Sequence, residues 1–266
     1  MEILGYLSSV LIGISLGLLG AGGSILTVPI LVYLFGLSPA ISVRYSLWIV
    51  GFTSLFALIP RVRKGEVLLL EGGVFGVISI SVVCIVRVLI LPLVPHELYK
   101  KGDFVLTLDN ASMISFAILM FFVSRAMTRQ SDARPDTPVT KASDLLLVSS
   151  AIATGLLTGF LGAGGGFLIV PVLMFFFRLD AKKAIGTSLF IITLNSISGF
   201  LSEMNLQKLD WTFIGCLTIL SVFGSIIGRL IGQRLDTIHL RKAFGWFIFI
   251  LAVTLLTIQG IQLIYT

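Results

Sequence analysis

One block of this sequence occurs twice. GLLGAGGSILTVPILVYLF at 17–35 returns as GFLGAGGGFLIVPVLMFFF at 159–177, with eleven of nineteen positions identical. Matching leucines are cheap in an apolar chain, but G-x-L-G-A-G-G followed six residues later by proline, twice, is not a chance of composition. The 142-residue offset continues downstream: Ser46-Leu47 aligns with Ser188-Leu189, and Thr53-Ser54 with Asn195-Ser196. Any fold for this chain must therefore be built from two copies of one unit.

Each copy lies among apolar runs. These cover 3–20, 24–36, 43–60, 67–94 and 110–125 in the first half, then 144–162, 165–178, 184–202, 211–232 and 243–265. Charged residues make up 12% of the chain and hydrophobic ones 56%, against roughly a quarter charged in an ordinary soluble domain. With a mean hydropathy of +1.06, there are too few charges to cover a soluble surface. A cytosolic enzyme, a disordered regulator and a nucleic-acid binder are excluded. The net charge of +6 fits the basic loops of a membrane protein rather than nucleic-acid binding. Period-two alternation is absent, so the runs read as helices and not as a barrel. The expected partner is the lipid bilayer, and the expected class is an all-α membrane protein of about ten hydrophobic segments.

The stretch 129–143, RQSDARPDTPVTKAS, carries two prolines and cannot span. It divides the chain into an N-terminal transmembrane repeat (1–125), a cytoplasmic linker (126–143) and a C-terminal transmembrane repeat (144–266). Arg125, Arg129, Arg134 and Lys141 put the linker inside. Alternating the segments from there puts Arg61, Arg63, Lys64, Arg178, Lys182, Lys183, Arg234, Arg241 and Lys242 inside as well. Only Lys100, Lys101 and Lys208 fall outside, together with both termini. Five segments per half is an odd number, so the two repeats are expected to be inverted, as in many secondary transporters.

The glycine blocks interrupt hydrophobic runs. The runs that follow, 24–36 and 165–178, cover only ~20 Å of a ~30 Å hydrocarbon core. A long run, a glycine cluster and a short run together read as a helical hairpin with its tip inside the membrane. Non-helical backbone at that depth must be buried in protein or line a wet cavity. Each tip is also the N-terminus of the short helix, with free N–H groups and the positive dipole end. Two facing tips would form an anion site without a lysine or arginine. The plainer alternative is that Gly-Ala-Gly-Gly lets two helices pack closely. The expected substrate-binding residues are Gly20, Ala21, Gly22, Gly23 and Ser24 in the first block, and Gly162, Ala163, Gly164, Gly165 and Gly166 in the second.

The segments after the hairpins add Ser46 on one side and Thr187, Ser188 and Asn195 on the other. Asn195 carries an amide that can donate to an oxyanion; the hydroxyls can instead bond their own helix. Arg44, at the outer end of its segment, is the candidate gating residue or admits anions from outside, with snorkelling to the interface as the alternative. Glu71 is a candidate proton-coupling carboxylate or a residue of the inner surface. No zinc spacing, nucleophile elbow or nucleotide loop occurs, so no cofactor and no metal are expected.

The paired G-x-L-G-A-G-G…P blocks, the polar linker and the length resemble the TauE/SafE family of sulfite exporters, also called the 4-toluene sulfonate uptake permease family. The matching positions are Gly17, Gly20, Gly22, Gly23 and Pro29, and Gly159, Gly162, Gly164, Gly165 and Pro171. The resemblance implies transport of sulfur-containing anions such as sulfite or sulfonates, in either direction depending on the member. Ser24 stands where the second copy has Gly166, so the tips need not be equivalent. The expected function is a secondary transporter, an exporter of such anions, working by alternating access. The alternatives are an importer, a carrier of another small anion or ion, and a non-transporting scaffold or receptor, for which the short loops leave little surface.

Overall fold

The computed structural model describes residues 2–20, 22–90, 93–94, 97–101, 104–129, 144–161, 166–175, 177–202 and 209–265. Among these are ten α-helices. The first five are α1 (Glu2–Leu19), α2 (Gly22–Tyr33), α3 (Pro39–Arg63), α4 (Leu69–Ile85) and α5 (Leu108–Arg129). The second five are α6 (Asp144–Leu161), α7 (Gly166–Phe175), α8 (Ala181–Ser202), α9 (Trp211–Gln233) and α10 (Thr237–Tyr265). The run 67–94 contains α4 followed by a π-helical turn, Val86–Ile90. The segment read as an outer loop carries a short antiparallel hairpin, β1 (Glu97–Lys101) with β2 (Phe104–Thr107).

Among the described residues, four helical stretches are long and apolar enough to cross a membrane: Ile41–Arg63, Leu69–Ile90, Ala181–Leu201 and Trp211–Gln233. Shorter apolar helices accompany them. Leu70, Val77, Phe122, Leu145, Ile219, Phe223, Trp246 and Ile250 are all exposed, while Ser9, Thr27, Ser46, Ser54, Ser79, Thr187, Ser188 and Ser221 are buried. A soluble domain with that outer surface would aggregate; in hydrocarbon it is the expected arrangement.

α3 and α8 are the most enclosed of the long helices and cross at the centre. Ser54 and Thr193 share a hydrogen bond there at 2.9 Å, and Gly51 leaves room for Ser196. Around this pair, α1 lies along α9, α4 along α6, and α5 along α10. The α1–α9 seam is made close by small residues. A Cβ added at Gly13 would overlap the Ser221 carbonyl, and one at Gly224 the Val10 carbonyl. Ser221 donates to the Ser9 carbonyl at 3.0 Å across the same seam. Backbones approach this way in membranes because small side chains let dispersion act over the whole seam.

α1 ends at Gly20, whose φ of +75° is a left-handed conformation open chiefly to glycine. Its N–H bonds the Leu16 carbonyl at 2.8 Å. α2 starts two residues later and folds back, with Gly23 against Leu16 and Ile12. α2 and α7 are short, as expected from the run lengths, and each contains a proline, Pro29 or Pro171. That proline removes one intrahelical hydrogen bond. The turns that leave these two helices match. Leu37 N–H bonds Leu31 O at 3.2 Å, and Leu179 N–H bonds Leu173 O at 3.3 Å. The left-handed residue is Gly36 in the first turn and Arg178 in the second.

Candidate functional site

The first glycine block meets the second half of the chain at α8. Ser188 donates to the Gly20 carbonyl at 3.2 Å and to its own helix at Ile185 at 2.8 Å. A Cβ at Gly20 would lie 2.6 Å from the Ile185 side chain and 2.9 Å from Ser188 Oγ. The break is therefore packed against α8. Gly22 and Gly23 open α2, with Ser24 in its first turn, and Gly166 opens α7. α2 packs against α7. Ala21, Gly162, Ala163, Gly164 and Gly165 lie outside the described residues.

The other expected residues divide. The Thr187 hydroxyl accepts the Leu68 N–H at 3.1 Å, anchoring the start of α4. Ser46 is buried in α3 and Arg44 is half-buried near the start of that helix. Asn195 accepts from Ser79 Oγ at 3.2 Å. It lines a cavity of about 30 Å³ with Thr158, Ser196 and Cys84, room for about one water. Asn195 is seven residues from Ser188, roughly 10 Å along the helix. Glycine break and amide thus belong to two separate polar clusters. Thr53 Oγ1, on the residue next to Ser54, is buried with no hydrogen-bond partner among the described residues. Glu71 is exposed in the first turn of α4.

A larger cavity, about 190 Å³, opens where α3, α8 and α9 come together. Arg61, Lys64, Glu66, Lys182 and Arg229 line it, four cations against one carboxylate. Arg61 is 7% exposed. Its Nη1 donates to Glu66 Oε2 at 3.2 Å and its Nη2 to the Gly17 carbonyl at 3.1 Å. Gly17 lies in the last turn of α1, where a cation complements the dipole and meets carbonyls left without intrahelical donors. Arg61 Nε has no partner among the described residues. No group of three or more His, Cys, Asp or Glu that could hold a metal occurs among the described residues.

The model of the family described as Sulfite exporter TauE/SafE matches residues 6–255. The chain belongs to the TauE/SafE family. A probable membrane transporter protein of Xylella fastidiosa strain Temecula1 is 30% identical over 256 residues, covering 91% of this chain and 90% of the relative. The probable membrane transporter protein YunE of Bacillus subtilis is 27% identical, covering 93% and 92%. One from Haemophilus influenzae is 28% identical, covering 92% and 94%. No solved structure matches the chain. Family membership and the apolar helices together make this a multi-pass protein of a membrane transporter family.

Within this TauE/SafE chain, sequence reasoning missed Arg61. It follows Pro60 at the end of a hydrophobic run and counts equally well as an inner-loop charge. The helix continues to Arg63, which carries Arg61 back against α1. The available signal was local: Pro60 ends a hydropathy window, but proline does not end a helix by itself when a neighbour satisfies the freed backbone.

Proposed function

We propose that this chain is a secondary transporter of small sulfur-containing anions, an exporter of sulfite or organosulfonates, working by alternating access. The observation that carries the reading is the pair of short helices, α2 and α7, which begin at the repeated glycine blocks and pack on each other inside the bundle. In this reading their N-termini bring N–H donors and positive dipole ends to one place, and such donors hold an anion that must leave again.

Internal two-fold symmetry supports this reading. Exchanging the halves sends the α1–α9 seam onto α6–α4, and maps α3–α8, α5–α10 and α2–α7 onto themselves; all these pairs are in contact. Hydrogen bonds follow the 142-residue offset: Leu68 N–H to Thr187 Oγ1 at 3.1 Å and Asp210 N–H to Tyr45 OH at 3.1 Å occupy equivalent places. The close approach of Gly13 to the Ser221 carbonyl recurs as Gly155 to the Ser79 carbonyl. Two inverted halves of five helices, with both termini outside and the linker in the cytoplasm, account for these pairs together with the loop charges. Gly20–Ser24 and Gly162–Gly166 are the substrate cradle in this reading, joined by Ser188. Ser46, Thr187 and Asn195 line its approaches, with Arg44 at the outer gate. An inside-negative potential drives export of an anion by about 2.3 kcal/mol per charge per 100 mV.

The experiment is sulfite and methanesulfonate flux in proteoliposomes. Gly22→Leu and Gly164→Leu should each abolish flux while the detergent-extracted protein stays monodisperse. Asn195→Leu should lower flux with little change in anion binding, because the amide lies on the approach, about 10 Å along α8 from the glycine break. Wild-type flux in both glycine variants would reduce the blocks to helix packing.

A further inference from the structure

The cavity beside Arg61 holds more positive charge than the protein compensates. A guanidinium has five N–H donors in a fixed fork, and a buried one is stable only when paired and hydrogen-bonded. Here one carboxylate oxygen and one backbone carbonyl engage it, and Nε–H is left buried without a partner among the described residues. Lys64, Lys182 and Arg229 bring three more cations to the same walls, with no further carboxylate lining them among the described residues. At about 190 Å³ the cavity exceeds the 30 Å³ space at Asn195 several-fold and has room for a polyatomic ion.

Glu66 is placed to yield. Its backbone is held: its N–H bonds the Arg61 carbonyl at 3.0 Å, and its own carbonyl sits tightly against Gly186 of α8. The preceding Gly65 takes a left-handed turn, φ +68°. Only the side chain is free to rotate, and at 24% exposure it already reaches the cavity mouth, against 8% for the Arg61 side chain. A single 3.2 Å contact to one carboxylate oxygen is a weaker engagement than the two-point grip a guanidinium offers an oxyanion.

We propose that this cavity is a binding site for a small oxyanion, in which the anion displaces the Glu66 carboxylate from Arg61 and sits between Arg61, Lys182 and Arg229. The role rests on the anion-transport reading: Arg61 Nη2 holds Gly17, three residues before the left-handed Gly20. An anion bound there would lie next to the first glycine break, on the side that the loop charges assign to the cytoplasm. Glu66 acts as the internal stand-in that fills the site between turnovers. The arrangement selects against cations, because four positive groups face the space.

The test is thermal stabilisation of the purified full chain in neutral detergent, titrated with sodium sulfite, methanesulfonate or sulfate at ionic strength matched with sodium chloride. Wild type should show saturable stabilisation beyond the chloride control. Glu66→Gln should start from a lower melting temperature, since Arg61 loses its counter-ion, yet bind the oxyanion about ten-fold tighter, because the internal competitor is gone. Arg61→Gln should weaken binding about 10- to 100-fold. Because that variant also releases Gly17, Lys182→Gln and Arg229→Gln provide the independent reading; each should weaken binding about three- to ten-fold. Unchanged or weaker anion binding in Glu66→Gln, or no change in both peripheral variants, overturns the proposal. Stabilisation by phosphatidylglycerol but by none of the free anions also overturns it, since the cavity would then hold a lipid phosphate. Absent flux with this pattern of shifts intact would sink the transporter reading alone.

Discussion

Alanine at Gly224 and alanine at Gly215 are the same substitution in the same helix, α9, and the structure assigns them opposite effects. At Gly215 an added Cβ meets nothing within 4 Å. Replacing a helix-interior glycine by alanine there should be neutral or stabilising by up to about 1 kcal/mol, through reduced freedom of the unfolded chain. At Gly224 the added Cβ overlaps the Val10 carbonyl oxygen and lies 3.1 Å from Ile14 N. Both are backbone atoms of α1, so no side chain can rotate away, and the helices must part by roughly 1 Å. A gap of that size forfeits about a quarter to a half of the dispersion well at each affected contact. It also disturbs the Ser221 bond to the Ser9 carbonyl, 3.0 Å long across the same seam. The expected cost is about 2–3 kcal/mol, in the range of core overpacking. At roughly 2–4 °C per kcal/mol for a chain of this size, Gly224→Ala should melt roughly 4–12 °C lower than wild type. The assay is fluorescence-detected size exclusion after a temperature ramp, run on both variants in one detergent. Equal shifts of one sign would refute the reasoning, because they would mean that glycine propensity rather than the α1–α9 seam decides the outcome.

Two further outcomes are expected. Arg178 is exposed and holds a left-handed φ of 52° where the repeat-related residue is Gly36; Arg178→Gly should raise the melting temperature, with up to about 1 kcal/mol of relieved backbone strain, and a lower temperature would show that the arginine side chain matters more than its backbone. On a background with Cys84 and Cys216 replaced by alanine, single cysteines at Ser131 and Ser143 should be shielded from impermeant thiol reagents in intact cells while one at Gly102 labels; external labelling of the linker positions would reverse the proposed orientation.

The helix breaks were legible because their cause is local. A glycine cluster inside an apolar run, followed by a run too short to span, specifies an interrupted helix whatever surrounds it, and α2 and α7 have the expected lengths. Gly20 and Ser188 were both expected at the site, but nothing in the spacing linked them; the 3.2 Å bond from Ser188 to the Gly20 carbonyl depends on how α8 packs. Thr187, Ser188 and Asn195 were singled out together on α8, but the partners of Thr187 and Asn195 come from α4 and its N-cap. Leu68 N–H takes Thr187, and Ser79 takes Asn195. Nothing in the spacing along α8 says which helix will lie beside it. Arg61 failed for the same reason: its burial is set by α1 and by the turn at 64–66, distant in the pattern that hydropathy reads. The pairing of β1 with β2 was hidden because strands of five and four residues are too short to stand out from a loop.

The α1–α9 seam also sets an order of events during synthesis. α1 is made well before α9, yet the surface that fits its Gly13 and Gly17 belongs to Ser221 and Ser225 of α9. At about 5–20 residues per second, the roughly two hundred residues between them occupy the ribosome for about 10–40 s. For that interval a glycine-notched face of α1 stays in the bilayer without its native partner. Such faces dimerise readily, so nascent copies of this chain on one polysome are exposed to mispairing until α9 is inserted.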